Sequence, residues 1–399
     1  MQLKNTNEEG KKKMKKIIAA AVMAVILFTG GWNAASAAEL GGVLKDIKFN
    51  GFVSSSFNYN FRDKRDIVLR DSQMNANSFN LDVIEFVFQK EATNIGDVGF
   101  RTDLTYGYTV PKAMRASWAG TTQIAFTDNA TKPYGQRDPD DFDIQQAYVR
   151  YVAPIGSGLT FDLGKFVTEI GGELIEGYDG WNNNYSRSFL FYFADPFTHT
   201  GLRGAYKFTD QVTLLVCLIN GWDNNVDNNK GKTLVFNLYL TPMANTTLNV
   251  KYITGPEQDN NTSNIRNVAE LYILHTIDKL TLSANYLHGT EKNVPGGYSN
   301  SKWDAVSGIV RYAASDRYAI NVRGEVFKDS TGSRLATTAG QKQELWEVTV
   351  TPEFTINKNM IMRPEYRHDV ADKNLFNKNG TTNAVKTQDT VALNVFYYF

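Results

Sequence analysis

The sequence predicts an all-β protein, a transmembrane antiparallel up-and-down β-barrel of about 16 strands, with 14 or 18 strands as alternatives. Three observations lead to this class. The last ten residues form an aromatic strand, an N-terminal segment has the pattern of a secretory signal peptide, and strand-length runs of alternating polarity fill the rest of the chain. We expect short periplasmic turns and long external loops.

The C-terminal strand, Thr390 to Phe399, alternates with a period of two. Its apolar face comprises Val391, Leu393, Val395, Tyr397 and Phe399. Such a strand on a soluble sheet is the alternative, but an open apolar strand promotes aggregation, whereas a barrel strand pairs with the first strand and faces acyl chains. We therefore expect it to pair with residues 50–61. A final Phe also resembles the sorting signal of outer-membrane assembly machinery, an expected partner.

The N-terminus is expected to direct export. A run of lysines precedes the apolar stretch Ile17 to Phe28, and Ala35, Ser36 and Ala37 form a cleavage box. The apolar stretch is too short for a membrane-spanning helix, which needs about 20 residues. Residues 1–37 are thus predicted to be a signal peptide, with Met14 as an alternative start. Residues 38–399 are predicted to form a single barrel domain.

Composition narrows the class of protein. Hydrophobic residues make up 42% of the chain, aromatic residues 13%, and the mean hydropathy is −0.35. A net charge of zero argues against nucleic acid as a partner. The lone Cys217 cannot form an intramolecular disulfide, so the sheet itself must supply stability.

Candidate strands alternate with turns of two lengths. The predicted strands are residues 48–61, 78–92, 98–109, 142–154, 158–170, 199–208, 211–222, 230–241, 245–256, 265–276, 279–290, 302–314, 316–328, 342–356, 359–370 and 388–399. Long polar connections are expected at residues 62–77, 110–141, 171–198, 223–229, 257–264, 291–301, 329–341 and 371–387. Short turns fall between them, so every long loop lies at one end and both termini lie at the other, periplasmic end.

Within the predicted strands, ionisable residues lie on the face opposite the apolar face. An Arg or Lys side chain facing lipid costs about 2–4 kcal/mol at the midplane and a carboxylate costs less, so these residues are expected to line a hydrated lumen. The pore-lining candidates are Arg101, Asp103, Arg150, Asp162, Arg203, Lys207, Lys251, Glu270, Arg311, Arg323, Glu325, Glu347, Glu353, Arg363, Glu365 and Arg367. A barrel of 16 strands is wide enough for an aqueous channel.

The connection at residues 171–198 is a candidate constriction loop. It is rich in aromatic residues, which are unfavourable in a freely solvated loop, so we expect it to fold into the barrel. Its charged candidates are Glu173, Glu176, Asp179, Arg187 and Asp195. They would oppose the arginines of the wall and create a transverse field across a narrowed pore. The alternative is that residues 188–193 form another membrane strand.

Several short motifs resemble one family. Gln146-Ala147-Tyr148-Val149, Gly164-Lys165-Phe166, Asn184-Tyr185-Ser186-Arg187-Ser188 and Pro196-Phe197-Thr198-His199-Thr200-Gly201 are similar to segments of the OmpL-like β-barrel porins of Gram-negative bacteria. The resemblance is best in the first half of the chain, and the second half matches mainly in strand rhythm. It implies a barrel fold and pore activity, with no catalytic residues to transfer.

The function expected from these observations is a porin, a passive channel for small hydrophilic solutes or ions in the outer membrane of a Gram-negative bacterium, reached by export through the inner membrane. Outer-membrane lipid is the expected surrounding, and a homotrimer suits the size. We expect no enzyme activity, no cofactor and no metal, because the four histidines lie on separate segments. The alternatives are a barrel lipase or protease, and a barrel sheath around an inserted partner protein.

Overall fold

The computed structural model describes residues 46–70, 75–110, 141–335 and 340–399. The chain divides into two units, Met1–Lys48 and Phe49–Phe399. The predicted signal peptide at residues 1–37, the alternative start Met14 and most of the predicted connection at 110–141 lie outside the described residues.

Alternating polarity and turn residues produce the elements of the sheet. The described residues contain β1 (Lys48–Asn60), β2 (Ser78–Lys90), β3 (Val98–Gly107), β4 (Asp141–Ala153), β5 (Leu159–Val167), α1 (Phe189–Phe193), β6 (Thr198–Thr209), β7 (Val212–Ile219), β8 (Thr233–Met243), β9 (Thr246–Pro256), β10 (Ile265–Ile277), β11 (Leu280–Val294), β12 (Ser299–Ser315), β13 (Tyr318–Asp329), β14 (Gln343–Asn357), β15 (Met360–Ala371), β16 (Phe376–Lys378), β17 (Thr381–Val385) and β18 (Thr387–Tyr398). Among these residues, no helix has the length and hydropathy needed to cross a membrane.

Sixteen strands close into one barrel. Each strand from β1 to β15 lies beside the next, and β18 joins β15 to β1, while β16 and β17 form a separate hairpin in the connection after β15. The predicted fold class and the count of sixteen are therefore confirmed.

The closing seam joins the first and last strands. β1 and β18 pair antiparallel from Phe52 with Tyr398 to Asn60 with Thr390. The backbone N–H of Gly51 donates to Phe399 O at 2.9 Å, and the N–H of Phe399 donates back to Gly51 O at 3.0 Å. The expected pairing of the terminal strand with residues 50–61 is confirmed.

One external connection differs from its prediction. A long polar loop was expected at residues 291–301, but β11 continues to Val294 and β12 begins at Ser299, which leaves only residues 295–298 between them. The two strands remain paired beyond an irregularity between Glu291 and Val294. The polarity of residues 291–301 predicts a loop, but a hairpin that projects past the lipid can carry polar side chains on both faces.

The two faces of the wall differ in chemistry. On β13, Val322 and Val326 are exposed on the outer face, whereas Asn321, Arg323 and Glu325 are buried on the inner face. The same alternation runs through β10 and β18. The ionisable side chains of the wall thus point into the barrel, where residues 171–198 meet them.

Candidate functional site in the barrel interior

Residues 171–198, named here the interior segment, connect β5 to β6 and lie inside the barrel. Their backbone hydrogen-bonds to carboxylates on four widely spaced strands: Glu85 of β2, Glu270 of β10, Glu325 of β13 and Glu365 of β15. Phe189–Phe193 forms the short helix α1, so the alternative of an additional membrane strand at 188–193 is wrong.

The start of α1 is fixed by two side chains. Ser188 is the N-cap, and its hydroxyl accepts a hydrogen bond from Phe191 N at 3.0 Å. Glu325 reaches from the wall and accepts from Phe189 N at 2.6 Å and from Leu190 N at 2.5 Å. The first N–H groups of a helix have no partner within it, so this carboxylate completes the helix end.

All five residues of α1 are buried and apolar or aromatic. They form a hydrophobic cluster with inward-facing residues of the wall, and the rings of Phe193 and Phe327 lie 5.6 Å apart. A cluster of this kind inside a barrel excludes water from the part of the lumen that the helix occupies beside β12 and β13. The helix therefore fills this region.

Wall carboxylates hold the rest of the interior segment by its backbone. Glu270 accepts from Gly171 N at 2.7 Å, and Glu85 accepts from Tyr178 N at 2.6 Å. Glu365 accepts from Tyr185 N at 2.8 Å and from the adjacent Ser186 N at 3.0 Å. These hydrogen bonds fix the segment along its length.

Wall arginines bind the carboxylates of the interior segment directly. Arg323 contacts Glu173 at 2.9 Å and Glu347 of the neighbouring strand at 2.5 Å, and Arg363 contacts Glu176 at 2.8 Å. Both arginines are fully buried. The expected arrangement had these charges opposed across a narrowed pore. On this side of the barrel they are instead in contact, so they neutralise each other rather than create a field across water.

Glu176 is the most strongly stabilised carboxylate of the segment. Burial alone would raise its pKa, but Arg187 at 3.2 Å and Arg363 together lower the pKa of Glu176 to about 2. Arg363 also donates to Asn182 O at 2.8 Å and to Asn394 Oδ1 at 2.7 Å. This guanidinium thus joins the interior segment to the closing strand β18.

A second group of charges lies on β4–β6 and at the start of the connection after β5. Arg203 contacts Asp162 at 2.7 Å and Glu169 at 2.8 Å, Arg150 contacts Asp162 at 2.6 Å, and the ring of Tyr148 lies 5.5 Å from each of the two guanidinium carbons. The side chain of Arg150 is 34% exposed, in contrast to the buried arginines of β13–β15. Ionisable groups that remain in contact with solvent are therefore found on this wall.

The other predicted residues lie in separate places. Arg101 pairs with Asp103 and also reaches Asp179, Lys251 pairs with Glu270, Arg311 pairs with Glu353, and Arg367 pairs with Asp369. Lys207 is 58% exposed at a strand end, where it pairs with Asp210 of the turn rather than with the other candidates. The role of the sixteen wall candidates in lining a pore stays a prediction.

Asp195 differs from the other charged candidates of the segment. Its side chain is buried, and its Oδ1 has no hydrogen-bond partner. Burial and the nearby carboxylates of Glu270 and Glu173 raise its pKa well above the usual range. It therefore does not take part in the ion pairs that anchor the segment.

Sequence reasoning missed several interior contacts. Asp82 accepts from Ser56 at 2.6 Å, Lys165 pairs with Asp143 at 3.0 Å, and Arg70 pairs with Asp369. Lys165 could have been found from the inward parity of its strand. Arg70 could not, because it belongs to a connection whose insertion into the barrel has no signal in the sequence.

The connections after β7 and after β13 converge at the end of the interior segment. Arg334 lies between Trp222 and Trp303, with its guanidinium carbon 5.3 and 4.9 Å from the ring centroids, and it donates to Phe193 O at 2.6 Å. Asp223 accepts from Phe197 N at 2.7 Å and from Thr198 N. Burial raises the pKa of Asp223 to about 6. These contacts cap the end of the interior segment.

A cavity of about 420 Å³ separates the interior segment from the wall of β8–β12. Its lining includes Glu173 and Trp181 from the segment and Asn249, Tyr272 and Asn285 from the wall. Within the described part of the chain, no group of three or more His, Cys, Asp or Glu side chains is arranged to hold a metal ion.

A closed sixteen-strand wall, apolar outside and ionisable inside, with a chain segment folded into the lumen, defines a porin-type β-barrel. The family described as "Putative beta-barrel porin-2, OmpL-like" matches residues 46–399, and the chain belongs to this family. The resemblance found in the sequence motifs is therefore confirmed. None of the curated proteins compared with the chain matches it.

Solved outer-membrane barrels share the fold at low sequence identity. OprB of Pseudomonas putida has a TM-score of 0.56 and 10% identity, covering 91% of this chain and 96% of that one. An anion-selective porin from Comamonas acidovorans has a TM-score of 0.56 and 9% identity, with coverage of 88% and 99%. OmpT of Vibrio cholerae in its trimer form has a TM-score of 0.55 and 12% identity, also with coverage of 88% and 99%.

Proposed function

We propose that the chain forms a water-filled channel through which small hydrophilic solutes or ions diffuse passively across the outer membrane of a Gram-negative bacterium. The observation that carries this proposal is the closed barrel of sixteen strands whose inner face holds the ionisable side chains. Membership of a porin family supports it. Passage depends on the space that the interior segment leaves beside the wall, because that segment occupies much of the lumen.

Conductance of the purified protein in planar lipid bilayers tests this proposal. A channel gives discrete current steps after insertion, whereas bilayers without protein and bilayers with heat-unfolded protein give none. Folding before insertion is checked by the difference in electrophoretic migration between unheated and heated samples. Folded protein that inserts without current steps would contradict the proposal.

Contact with outer-membrane lipid and the oligomeric state of the protein belong to the same proposal. The exposed apolar residues of the outer face, such as Leu271 and Val322, suit contact with outer-membrane lipid. We propose a homotrimer, in line with the trimer form of OmpT from Vibrio cholerae. Chemical crosslinking of the folded protein in detergent tests it, with a three-chain species as the expected product and a purely monomeric pattern as the contradicting one.

We also propose that the strand ending at Phe399 is read by the outer-membrane assembly machinery. Its pairing with β1 gives this strand a structural role as well, so the two roles must be separated. Phe399→Ala is expected to lower the amount of barrel assembled in cells while purified protein still folds in detergent. Equal losses in both settings would leave only the structural role.

The channel is proposed without catalytic activity. His199, the histidine nearest the interior segment, is buried and contacts Thr168 Oγ1 at 2.9 Å and Gly221 O at 3.1 Å, so it is not next to a serine nucleophile. Among the residues that the structure describes, no specific contact favours the lipase, protease or sheath alternatives. Hydrolysis of phospholipid or peptide by purified protein, abolished by His199→Ala, would overturn this part of the proposal.

A further inference from the structure

The cavity beside β8–β12 has a lining unlike the other parts of the interior. Its wall side chains are uncharged: most are polar, among them Thr247, Asn249, Tyr272, Ser283, Asn285 and Ser307, and Leu274 and Ile309 are apolar. Among the described lining residues, Glu173 is the one carboxylate, and no lysine or arginine is present. Glu173 is already engaged, because Arg323 contacts it at 2.9 Å and Ser188 N donates to it at 2.9 Å.

Two amides of this wall have unused hydrogen-bonding capacity. The side-chain carbonyl oxygens of Asn249 and Asn285 are buried and have no hydrogen-bond partner in the described protein. A buried acceptor without a partner costs about 1–3 kcal/mol, so such groups in a native structure call for a donor. Both side chains line the cavity, so a solute bound there lies beside the two amides.

Aromatic faces complete the lining. Trp181 is held against Phe396 and Tyr398 at centroid distances of 5.0 and 4.9 Å. On the opposite wall, the ring of Tyr272 lies so close to Gly172 that a methyl group at that position would come within 2.6 Å of it. The two rings are therefore positioned by packing, and an aromatic ring offers an apolar face beside the polar groups.

We propose that this cavity binds neutral polyhydroxylated solutes of small-sugar size and that it makes the channel favour them over ions. The inference rests on the proposed channel function and names its solute class. A volume of 420 Å³ lies within the range of about 300–1,000 Å³ of small-molecule sites. A neutral polyol exchanges hydrogen bonds with water for hydrogen bonds with the amides and hydroxyls. An ion loses hydration here without gaining a free counter-charge.

Three solutes of one ring size test this inference: glucose, glucuronate and glucosamine. Liposomes that contain the folded protein are expected to swell faster in glucose than in either charged sugar. The expected ratio of rates is about fivefold, which corresponds to the net free energy of one hydrogen bond. Glucose is also expected to change the fluorescence of Trp181, and this response is expected to be absent in Trp181→Phe. Equal rates for the three solutes, or a faster rate for a charged one, would overturn the inference.

Charge substitutions locate the effect. Asn285→Asp and, independently, Asn249→Asp are expected to shift the preference from glucose towards glucosamine, because each places a carboxylate in the lining. Asn383→Asp makes the same change at an exposed position of β17 and is expected to leave the preference unchanged. If both cavity variants fold and behave like the control variant, the cavity is not the site of selection.

The failure of this inference is distinguishable from the failure of the channel proposal. Protein that gives current steps in planar bilayers but shows no preference among the three sugars remains a channel without the proposed site. Protein that gives neither current nor swelling contradicts the channel itself. If a cavity variant does not fold, the comparison of the three sugars with the unmodified protein still decides the inference.

Discussion

Arg363 of the barrel wall donates two hydrogen bonds to Glu176 of the interior segment, at 2.8 and 3.0 Å, and both side chains are buried. Because a buried charge without its partner is costly, the pair stabilises the segment only as long as both members are present. This contact connects the position of the interior segment to the stability of the barrel, and it makes the two properties testable together.

Glu176→Gln is expected to destabilise the folded protein by about 3–5 kcal/mol, since Arg363 would remain buried without its ion-pair partner. The double variant Glu176→Gln with Arg363→Gln is expected to lose less than the sum of the two single variants. Urea unfolding in detergent micelles measures these differences. Asp210→Asn, which removes a solvent-exposed pair with Lys207, is the matched control and is expected to change nothing measurable. Additive losses in the double variant would contradict the pairing.

The pair also predicts an acid dependence of stability. The pKa of Glu176 is about 2 in the folded protein, below its usual value of 4.5. A lowered folded-state pKa gives stability that is fully present above pH 4.5 and is lost as the pH falls towards 2. The difference in unfolding free energy between the unmodified protein and Glu176→Gln is therefore expected to shrink across this window. A difference that stays constant down to pH 2 would contradict it.

Glu257 predicts a pH dependence of stability with the opposite sign to that of Glu176. Its carboxylate accepts from Trp222 N and from Thr233 Oγ1, both at 2.6 Å, and burial raises its pKa from 4.5 to about 7. Because the folded protein binds this proton more tightly than the unfolded chain, stability falls as the pH rises from 4.5 through 7.

Glu257→Gln is expected to remove this part of the pH dependence while it keeps an acceptor for one of the two hydrogen bonds. Urea unfolding at a series of pH values between 4 and 8 measures the slope. The same slope in the variant and in the unmodified protein would show that Glu257 is not its source.

The packing of the Trp303 indole against Gly289 leads to a steric prediction. A methyl group at Gly289, directly across from Trp303 in the sheet, would lie 1.9 Å from the ring. Gly289→Ala is therefore expected to displace the indole from Arg334 and from Ala194 O, with a loss of about 1–3 kcal/mol. Gly324→Ala is the control, because a methyl group there has no neighbour within 4 Å. Thermal unfolding compares the two, and equal effects would contradict the steric argument.

The strands were predictable because side chains alternate strictly between the lipid face and the inner face of a membrane-spanning strand. Arg323, which lies between the outward-facing Val322 and Gly324, therefore faces inward. Parity gives the face of a residue but not its partner. It placed Glu325 inside, yet its contact with Phe189 N joins residues 136 apart in the chain. The sequence carries no local signal for such a contact.

The interior segment itself was only partly predictable. Its aromatic residues indicated a protected location, whereas α1 depends on the cap by Ser188 and on Glu325 from a distant strand. The prediction of a long connection at residues 291–301 was wrong for a related reason. Polarity indicates loops only where lipid surrounds the strands, and β11 and β12 continue past that region.

The anchoring of the interior segment has a consequence for the order of events during biogenesis. The segment follows β5, but Arg323, Arg363 and Asn394, which hold it or its anchor, belong to the last third of the chain. During N-to-C delivery of the polypeptide, the segment must therefore wait for the strands that arrive last. The full set of contacts that hold the segment can form only once β13, β15 and β18 are in place.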